Sequence, residues 1–404
     1  MKGEFNNMPN LTEKGQFAFN TALQHFKTQK FSAADLTAIS GEKVSAASLN
    51  AIVNKGYMLK EAGSPVKFYF VDNIDMLLEL EKNTKGGLDN STLLKAKKEQ
   101  NDEFYTSYST IEEEVGQYHT YFRDKVVYLP CDDPAEKKSE FWSYFVDNFE
   151  AFGLKKLIAT HYNENGKAYK IWIDRDTAVG FIDDDDAVQE DLNGNGDFRS
   201  EECIKILDEC DIVCTNPPFS LIKEFIPLII NHGKQFLIIC PQNAFKYKDT
   251  FHYVRDGKVW PGYSFNKTFD FIMDDSYAMG KGSYIDDKGN KHGKVPGCCW
   301  MTNLPNRRIA EKLILTKEYK PVNYKKYDNY DAIDVGELTD IPMNYDGVMG
   351  VPISFLGKHN PDQFELLGCS YKYGAIPEHK EGTPYNAILE GKEQYVRLFI
   401  RHKK

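Results

Sequence analysis

A chain of 404 residues, 41% hydrophobic and 13% aromatic, holds enough apolar material for two or three folded domains, which excludes a mainly disordered protein. The formal net charge of -10 excludes a uniformly basic nucleic-acid binder, although a local basic cleft fits within an acidic chain. No apolar run reaches the roughly 18 residues that span a bilayer, the opening Met1-Lys2-Gly3-Glu4 lacks a signal-peptide core, and the cysteines form no Cys-x-x-Cys pair; the chain reads as soluble, cytoplasmic, free of membrane and rich in reduced thiols.

In chain order, Leu11-Thr12 opens a helix carrying Phe17, Phe19, Leu23 and Phe26, Ser32 caps a second over 33–39, and Ser45 caps a third over 46–54. Turns at Gly56 and Ala62-Gly63-Ser64 bracket two short strands, around Tyr57-Met58-Leu59 and over 67–71. Three helices and a hairpin outline a winged helix, whose third helix would present Ser48, Asn50, Asn54 and Lys55 to a DNA groove. A docking module that never touches DNA has the same outline. An amphipathic helix over 74–80 and a lysine-rich stretch then lead to a boundary near residue 92, making 1–92 the first domain.

From Asn101 strands and helices alternate: an acidic helix over 111–121, strands at 126–129, 156–159, 170–173, 212–214 and 236–240, and a helix over 141–152. This is the pattern of an α/β, Rossmann-like fold with a mostly parallel sheet and helices on both faces. Runs at 268–273 and 297–302 suit antiparallel strands that close such a sheet. The expected core spans 93–304, followed by a C-terminal region over 305–404.

The strand Asp211-Ile212-Val213-Cys214-Thr215 ends abruptly in Asn216-Pro217-Pro218-Phe219. The prolines remove two backbone donors and hold Asn216 extended, so its amide oxygen and the Pro217 carbonyl face a cleft at the carboxyl edge, where open α/β sheets bind ligands. An amino group conjugated to an aromatic ring becomes nucleophilic when two oxygens accept its N–H bonds, and Phe219 supplies a face for that ring. A rigid turn after a buried strand is the plainer reading. Cys131-Asp132-Asp133-Pro134 follows the first core strand, either as an Asx turn or as acids pairing with the cationic groups of a methyl donor.

Asp191-Leu192-Asn193-Gly194-Asn195-Gly196 with Glu202 satisfies the calcium-loop spacing, but in one copy and after a poor entering helix, so no metal is assigned. The alternative sets Gly196-Asp197-Phe198 at a strand end, with Asp197 accepting from the exocyclic amine of a cofactor adenine and Phe198 against its ring. Further on, Arg307, Arg308, Lys312, Lys317, Lys320, Lys325 and Lys326 alternate with Tyr319, Tyr324 and Tyr327, a mixture that grips phosphates or lies on a solvated face.

Taken together, Glu103-Phe104-Tyr105-Thr106-Ser107, Cys131-Asp132-Asp133-Pro134, the run over 157–162, Gly196-Asp197-Phe198-Arg199-Ser200, Thr215-Asn216-Pro217-Pro218-Phe219-Ser220, Tyr327-Asp328-Asn329-Tyr330-Asp331 and the run over 346–352 resemble the EcoRI-type adenine-specific DNA methyltransferases, in order from about residue 100 to the end. The resemblance implies a class I S-adenosylmethionine-dependent methyltransferase fold acting on N6 of adenine in double-stranded DNA. Asn216, Pro217, Pro218 and Phe219 match its catalytic motif. Phe104, Tyr105 and Thr106 match the segment against the cofactor's methionine, Asp132 or Asp133, in the cofactor-binding segment with Pro134, the strand-end acid, and Asp197 the cofactor-adenine acid with Phe198 beside it. Asn50, Asn54, Lys55, Arg307, Arg308, Lys325 and Lys326 are the expected DNA contacts, the last four in a target-recognition region. A cognate restriction enzyme is a partner the resemblance allows. One departure stands out: the second strand ends in Thr160-His161-Tyr162, with no acid for a ribose. Competing readings are a methyltransferase for protein glutamine or RNA adenine, and a catalytically silent DNA-binding protein.

Overall fold

The computed structural model describes residues 13–26, 29–53, 58–61, 65–70, 105–134, 139–164, 166–178, 183–273, 282–287 and 289–403. Asn54, Lys55, Phe104, the expected helix over 74–80 and the lysine-rich stretch after it lie outside these residues. The chain divides into two compact units, Met1–Leu88 with Met273–Gly293, and Asp89–Ile272 with Lys294–Lys404.

In the first unit, helices α1 (Glu13–Phe26), α2 (Ala33–Ser40) and α3 (Ala46–Val53) precede an antiparallel hairpin of β1 (Met58–Glu61) and β2 (Lys67–Phe70). Apolar residues at helical spacing, Phe19, Leu36, Leu49 and Ile52, meet Phe31, Met58 and Phe68 in one buried cluster. Helix α2 begins where Ser32 Oγ accepts from Asp35 N at 3.2 Å and the Asp35 carboxylate accepts from Ser32 N at 2.7 Å, a reciprocal cap, and it stops at Gly41 with φ 71°.

The second unit is built on an eight-stranded sheet. Its strands are β4 (Val126–Leu129), β5 (Lys156–His161), β6 (Tyr169–Asp174), β7 (Val188–Asp191), β8 (Ile212–Thr215), β9 (Gln235–Pro241), β10 (Trp260–Pro261) and, beyond β11 (Phe269–Ile272), β12 (Cys298–Thr302), in the order β10-β12-β9-β8-β4-β5-β6-β7. Only the middle, β9-β8-β4-β5, is parallel; β6, β7, β10 and β12 pair antiparallel, so the sheet is mixed rather than mostly parallel. The reason is local. Strands β5 and β6 are joined by a short loop, which permits a hairpin but not the long crossover that a parallel neighbour needs. Strand β8 is buried at every position, as its unbroken apolar run requires of a strand covered on both faces, whereas β7, Val-Gln-Glu-Asp, is exposed throughout and closes the edge with charge.

Helices α4 (Tyr108–Val115), α5 (Phe141–Asp147), α6 (Phe149–Phe152), α7 (Glu201–Glu209), α8 (Ile222–Asn231) and α9 (Lys248–Arg255) complete this layer. The expected helix over 141–152 is broken at Asn148, which lies between α5 and α6 and whose Nδ2 donates to Tyr144 O at 2.9 Å. The run over 297–302 closes the sheet as β12, but 268–273 does not. There β11 (Phe269–Ile272) pairs instead with β3 (Tyr105–Thr106), Phe271 opposite Thr106.

In the C-terminal region β13 (Ala332–Asp334), β14 (Val348–Pro352), β15 (Phe364–Cys369) and β16 (Arg397–His402) form a second sheet, in the order β13-β14-β16-β15. Ile333, Met349, Leu366 and Ile400 of this sheet share one hydrophobic cluster with Tyr128, Val213 and Ile238 of the large one. All the cysteines are free thiols, and among the described residues no helix is long and apolar enough to cross a membrane.

Candidate active site

Because β4, β8 and β9 run parallel, their carboxyl ends deliver the segments 130–134, 216–219 and 242–247 to one edge of the sheet. Asp132 joins the first two. Its Oδ2 accepts from Thr215 Oγ1 at 2.5 Å and from Asn216 N at 2.7 Å, and its Oδ1 from Ser139 Oγ at 2.6 Å. The carboxylate is buried, which pushes its pKa up to about 6 against the pull of those donors. Thr215 Oγ1 in turn accepts from Cys131 N at 3.2 Å. Two strand ends are thus locked in register just before Asn216, which is half-buried beside buried Pro217 and Phe219. Leu221 N donates to Pro218 O at 3.0 Å and turns the chain into α8.

Asp133 serves the next strand. Its carboxylate accepts from Tyr169 OH at 2.9 Å and lies 3.1 Å from His161 Nδ1, with the two rings stacked at 4.9 Å. Where the sequence lacks an acid at the end of β5, the structure thus brings Asp133 to that strand end from β4.

Gly196 has φ 77°, and a Cβ there would stand 2.2 Å from His161 O, so only glycine fits. Asp197 follows, held by Arg199 through Oδ1 to N at 2.8 Å and to Nε at 2.9 Å, and through Oδ2 to Nη2 at 2.6 Å. Those bonds hold its carboxyl below the usual range, and Arg199 also reaches Glu224 at 2.7 Å. The Phe198 ring is buried edge-on against Phe225 of α8 at 5.0 Å, in the sheet's apolar cluster. Glu202 is occupied by Asn193 N at 3.0 Å, Asn193 Nδ2 at 2.9 Å and Gly194 N at 2.7 Å, and this loop is entered from strand β7 where a calcium loop needs a helix.

Thr106, at the end of β3, is fully buried, and among the described residues its hydroxyl makes no hydrogen bond. Its carbonyl accepts from Glu140 N at 3.2 Å, next to the Ser139 that holds Asp132. The buried Thr106 hydroxyl and the strand-end carboxylates supply acceptor oxygens, the chemistry that suits a polar cationic ligand.

Sequence reasoning missed Glu114 and Ser139 and gave Thr215 no role of its own. The Glu114 carboxylate is buried and accepts from Tyr263 N at 2.5 Å and Ser264 N at 2.7 Å, holding the chain after β10; burial pushes its pKa up. A glutamate on an apolar helix face was the available signal. In the same network Asn306 Nδ2 donates to Pro261 O at 3.1 Å. It precedes the short helix α10 (Arg307–Ala310), where Arg307 is exposed and Arg308 lies over the Tyr263 ring at 5.7 Å. Lys325 and Lys326 are exposed but occupied by Glu390 at 2.8 Å and Asp331 at 3.0 Å. Asn50 is half-buried on α3.

A parallel sheet centre with an acid after one strand and Asn-Pro-Pro-Phe after its neighbour defines an α/β methyltransferase. The family of the adenine-specific methyltransferase EcoRI matches residues 92–403. The chain is 40% identical over 329 residues to the Type II methyltransferase M.EcoRI of Escherichia coli, covering 78% of this chain and 97% of that protein. It is 37% identical to M.MgeORF184P of Mycoplasma genitalium (77% of this chain, 98% of that one) and 35% identical to M.MpnI of Mycoplasma pneumoniae (77% and 98%), both also Type II methyltransferases. No solved structure matches. The chain belongs to this family and is an adenine-specific DNA methyltransferase.

Proposed function

We propose that the chain transfers a methyl group from S-adenosylmethionine to N6 of an adenine flipped out of a specific site in duplex DNA. The observation that carries this reading is the Asp132 carboxylate bonded at once to Thr215 and to the Asn216 amide, which fixes the start of Asn216-Pro217-Pro218-Phe219 at the edge where a donor and a base would meet. When bound, S-adenosylmethionine supplies an electrophilic sulfonium methyl. Tyr105, Thr106, Asp132, Asp133 and Pro134 would line its amino-acid and ribose portions, and Asp197 with the Phe198 segment its adenine. Asn216 Oδ1 and the Pro217 carbonyl accept hydrogen bonds from the two N6–H groups as the nitrogen becomes tetrahedral, the one surplus proton leaves to solvent once the methyl is transferred, and Phe219 bounds the pocket for the ring. Flipping costs a few kcal/mol, offset by these contacts. Positioning and oriented acceptors do the remaining work, so no strong general base is needed. The three helices and hairpin of the first unit serve as a winged-helix DNA contact, and the region from α10 onward selects the target.

Methylating unmodified genomic DNA in vitro and sequencing it for modified adenines tests this. One recurrent sequence carrying N6-methyladenine is the expected result; methyl transfer to protein or RNA but not to DNA would overturn it.

A further inference from the structure

Four residues beyond Phe219, the exposed Lys223 of α8 places its Nζ 5.1 Å from the centre of the Tyr247 ring. Tyr247 ends the segment that follows β9 at the same sheet edge, and its neighbour Lys246 lies over Tyr371 at 6.0 Å. Tyr371 stacks on Tyr373 at 5.3 Å, and the Tyr373 hydroxyl donates to the Lys246 carbonyl. A row of alternating ammonium groups and tyrosine faces therefore runs from the catalytic loop onto the C-terminal region.

Among the described residues no carboxylate lies within salt-bridge distance of Lys223 or Lys246, in contrast to Lys325 and Lys326 with their partners Glu390 and Asp331. Lys246 is half-buried, and burial lowers its pKa, so an anion brought to it gains a close and poorly screened partner. Phosphate contact at Lys325 or Lys326 would first have to break an ion pair. At Lys223 and Lys246 it replaces only a cation–π contact.

We infer that Lys223 and Lys246, backed by Tyr247, Tyr371 and Tyr373, form the site that grips the DNA sugar–phosphate backbone next to the target adenine. This rests on the proposed DNA substrate. The ammonium groups take phosphate oxygens, and the tyrosine faces lie against sugars or an unstacked neighbouring base, a combination that binds without reading sequence. It holds the strand within a few residues of Asn216 while recognition is made elsewhere.

The test is binding of a fluorescent duplex containing the target site by the full chain, followed by anisotropy across a salt series. Each phosphate contact contributes a slope of about 0.9 in log K against log salt. Lys223→Gln and Lys246→Gln should each lower the slope by about one and weaken specific and non-specific duplexes alike, while Lys246→Arg restores it. Lys155→Gln, an exposed lysine just before β5 at the opposite edge, should leave the slope unchanged. Cofactor affinity, measured on the same proteins, should hold in all of them and serves as the check on folding. A wild-type slope in the double variant Lys223→Gln/Lys246→Gln, with the wild-type protein binding DNA normally, overturns this inference alone. Absence of DNA binding by the wild-type protein would overturn the proposed substrate and the inference with it.

Discussion

Asp132 and Asn216 are 84 residues apart in sequence, yet one carboxylate oxygen of Asp132 accepts the Asn216 backbone N–H at 2.7 Å and the hydroxyl of the preceding Thr215 at 2.5 Å. The acid after β4 is thereby a positioning group for the loop after β8. Asp132→Ala would strand both donors, at about 1–3 kcal/mol for each buried group left unmade. It should lower the denaturant midpoint and, by letting Asn216 drift, reduce kcat on the order of a hundredfold. Asp132→Asn should be far milder, because its amide oxygen can occupy the Oδ2 position while Ser139 turns to accept from the new NH2. Equal losses in the two variants would show that this oxygen does not set the loop.

The same carboxylate makes a pH prediction. Its pKa is raised from 3.8 to about 6 in the folded protein, so between those values the folded state holds more proton than the unfolded one. Its contribution to stability is fully present below pH 3.8 and is lost as pH rises through about 6. Asp132→Asn lacks this dependence. Its melting temperature relative to the wild-type protein should therefore climb between pH 4 and pH 6 and level off above; a difference that falls over that window contradicts the burial argument.

Gly196→Ala should destabilise the loop beside β5. The left-handed φ of 77° costs a non-glycine residue about 1–2 kcal/mol, and the new Cβ would sit 2.2 Å from the His161 carbonyl, so backbone must move as well. Chemical denaturation should show a lowered midpoint, and cofactor affinity should fall because Asp197 is the next residue. An unchanged midpoint would mean that the backbone here relaxes freely.

How much of this was legible in the sequence depends on how local each feature is. The strand ends at Leu129 and Thr215 and the Asn-Pro-Pro break were readable because apolar runs and proline act on adjacent residues. The antiparallel β6 and β7, and the pairing of Phe271 with Thr106 outside the main sheet, were not, since partner choice is decided by loop length and packing across distant segments. Asp132 and Asp133 were found as acids of one motif, but nothing local distinguishes a carboxylate aimed at Thr215 from one aimed at Tyr169 and His161. Lys325 read as a free cation because its partner Glu390 is 65 residues away, beyond the reach of pattern, whereas Lys326 is held by Asp331 only five residues on, which spacing alone does not reveal outside a helix.

Asp197→Ala should weaken S-adenosylmethionine binding about ten- to hundredfold, the loss of one charged hydrogen bond worth roughly 1.5–3 kcal/mol. It also frees Arg199, which keeps Glu224 as its partner at 2.7 Å. Arg199→Ala separates the two effects. Without its guanidinium, Asp197 keeps the position set by Gly196 and by its own N–H to Asn195 Oδ1 at 3.1 Å, and cofactor affinity should fall less than in Asp197→Ala. Calorimetric titration of both variants decides it; a larger loss in Arg199→Ala would transfer the adenine contact from the acid to the arginine.

The decisive substitution is Asn216→Ala. On the proposed mechanism the side-chain oxygen of Asn216 has its work in the transition state, where N6 gains positive charge and its N–H bonds become stronger donors. An interaction that strengthens there lowers kcat when removed and leaves ground-state binding nearly intact. Turnover should fall by at least a hundredfold, in the range found when one oriented oxyanion-type group is lost. Dissociation constants for DNA and for cofactor should change less than threefold, as should the fold, since the backbone N–H that Asp132 holds survives the substitution. A fluorescent adenine analogue at the target separates flipping from methyl transfer: flipping should persist in Asn216→Ala and be weakened in Phe219→Ala, whose ring is buried at the mouth of α8. Wild-type turnover in Asn216→Ala would remove this loop from the active site, whatever the family pattern implies.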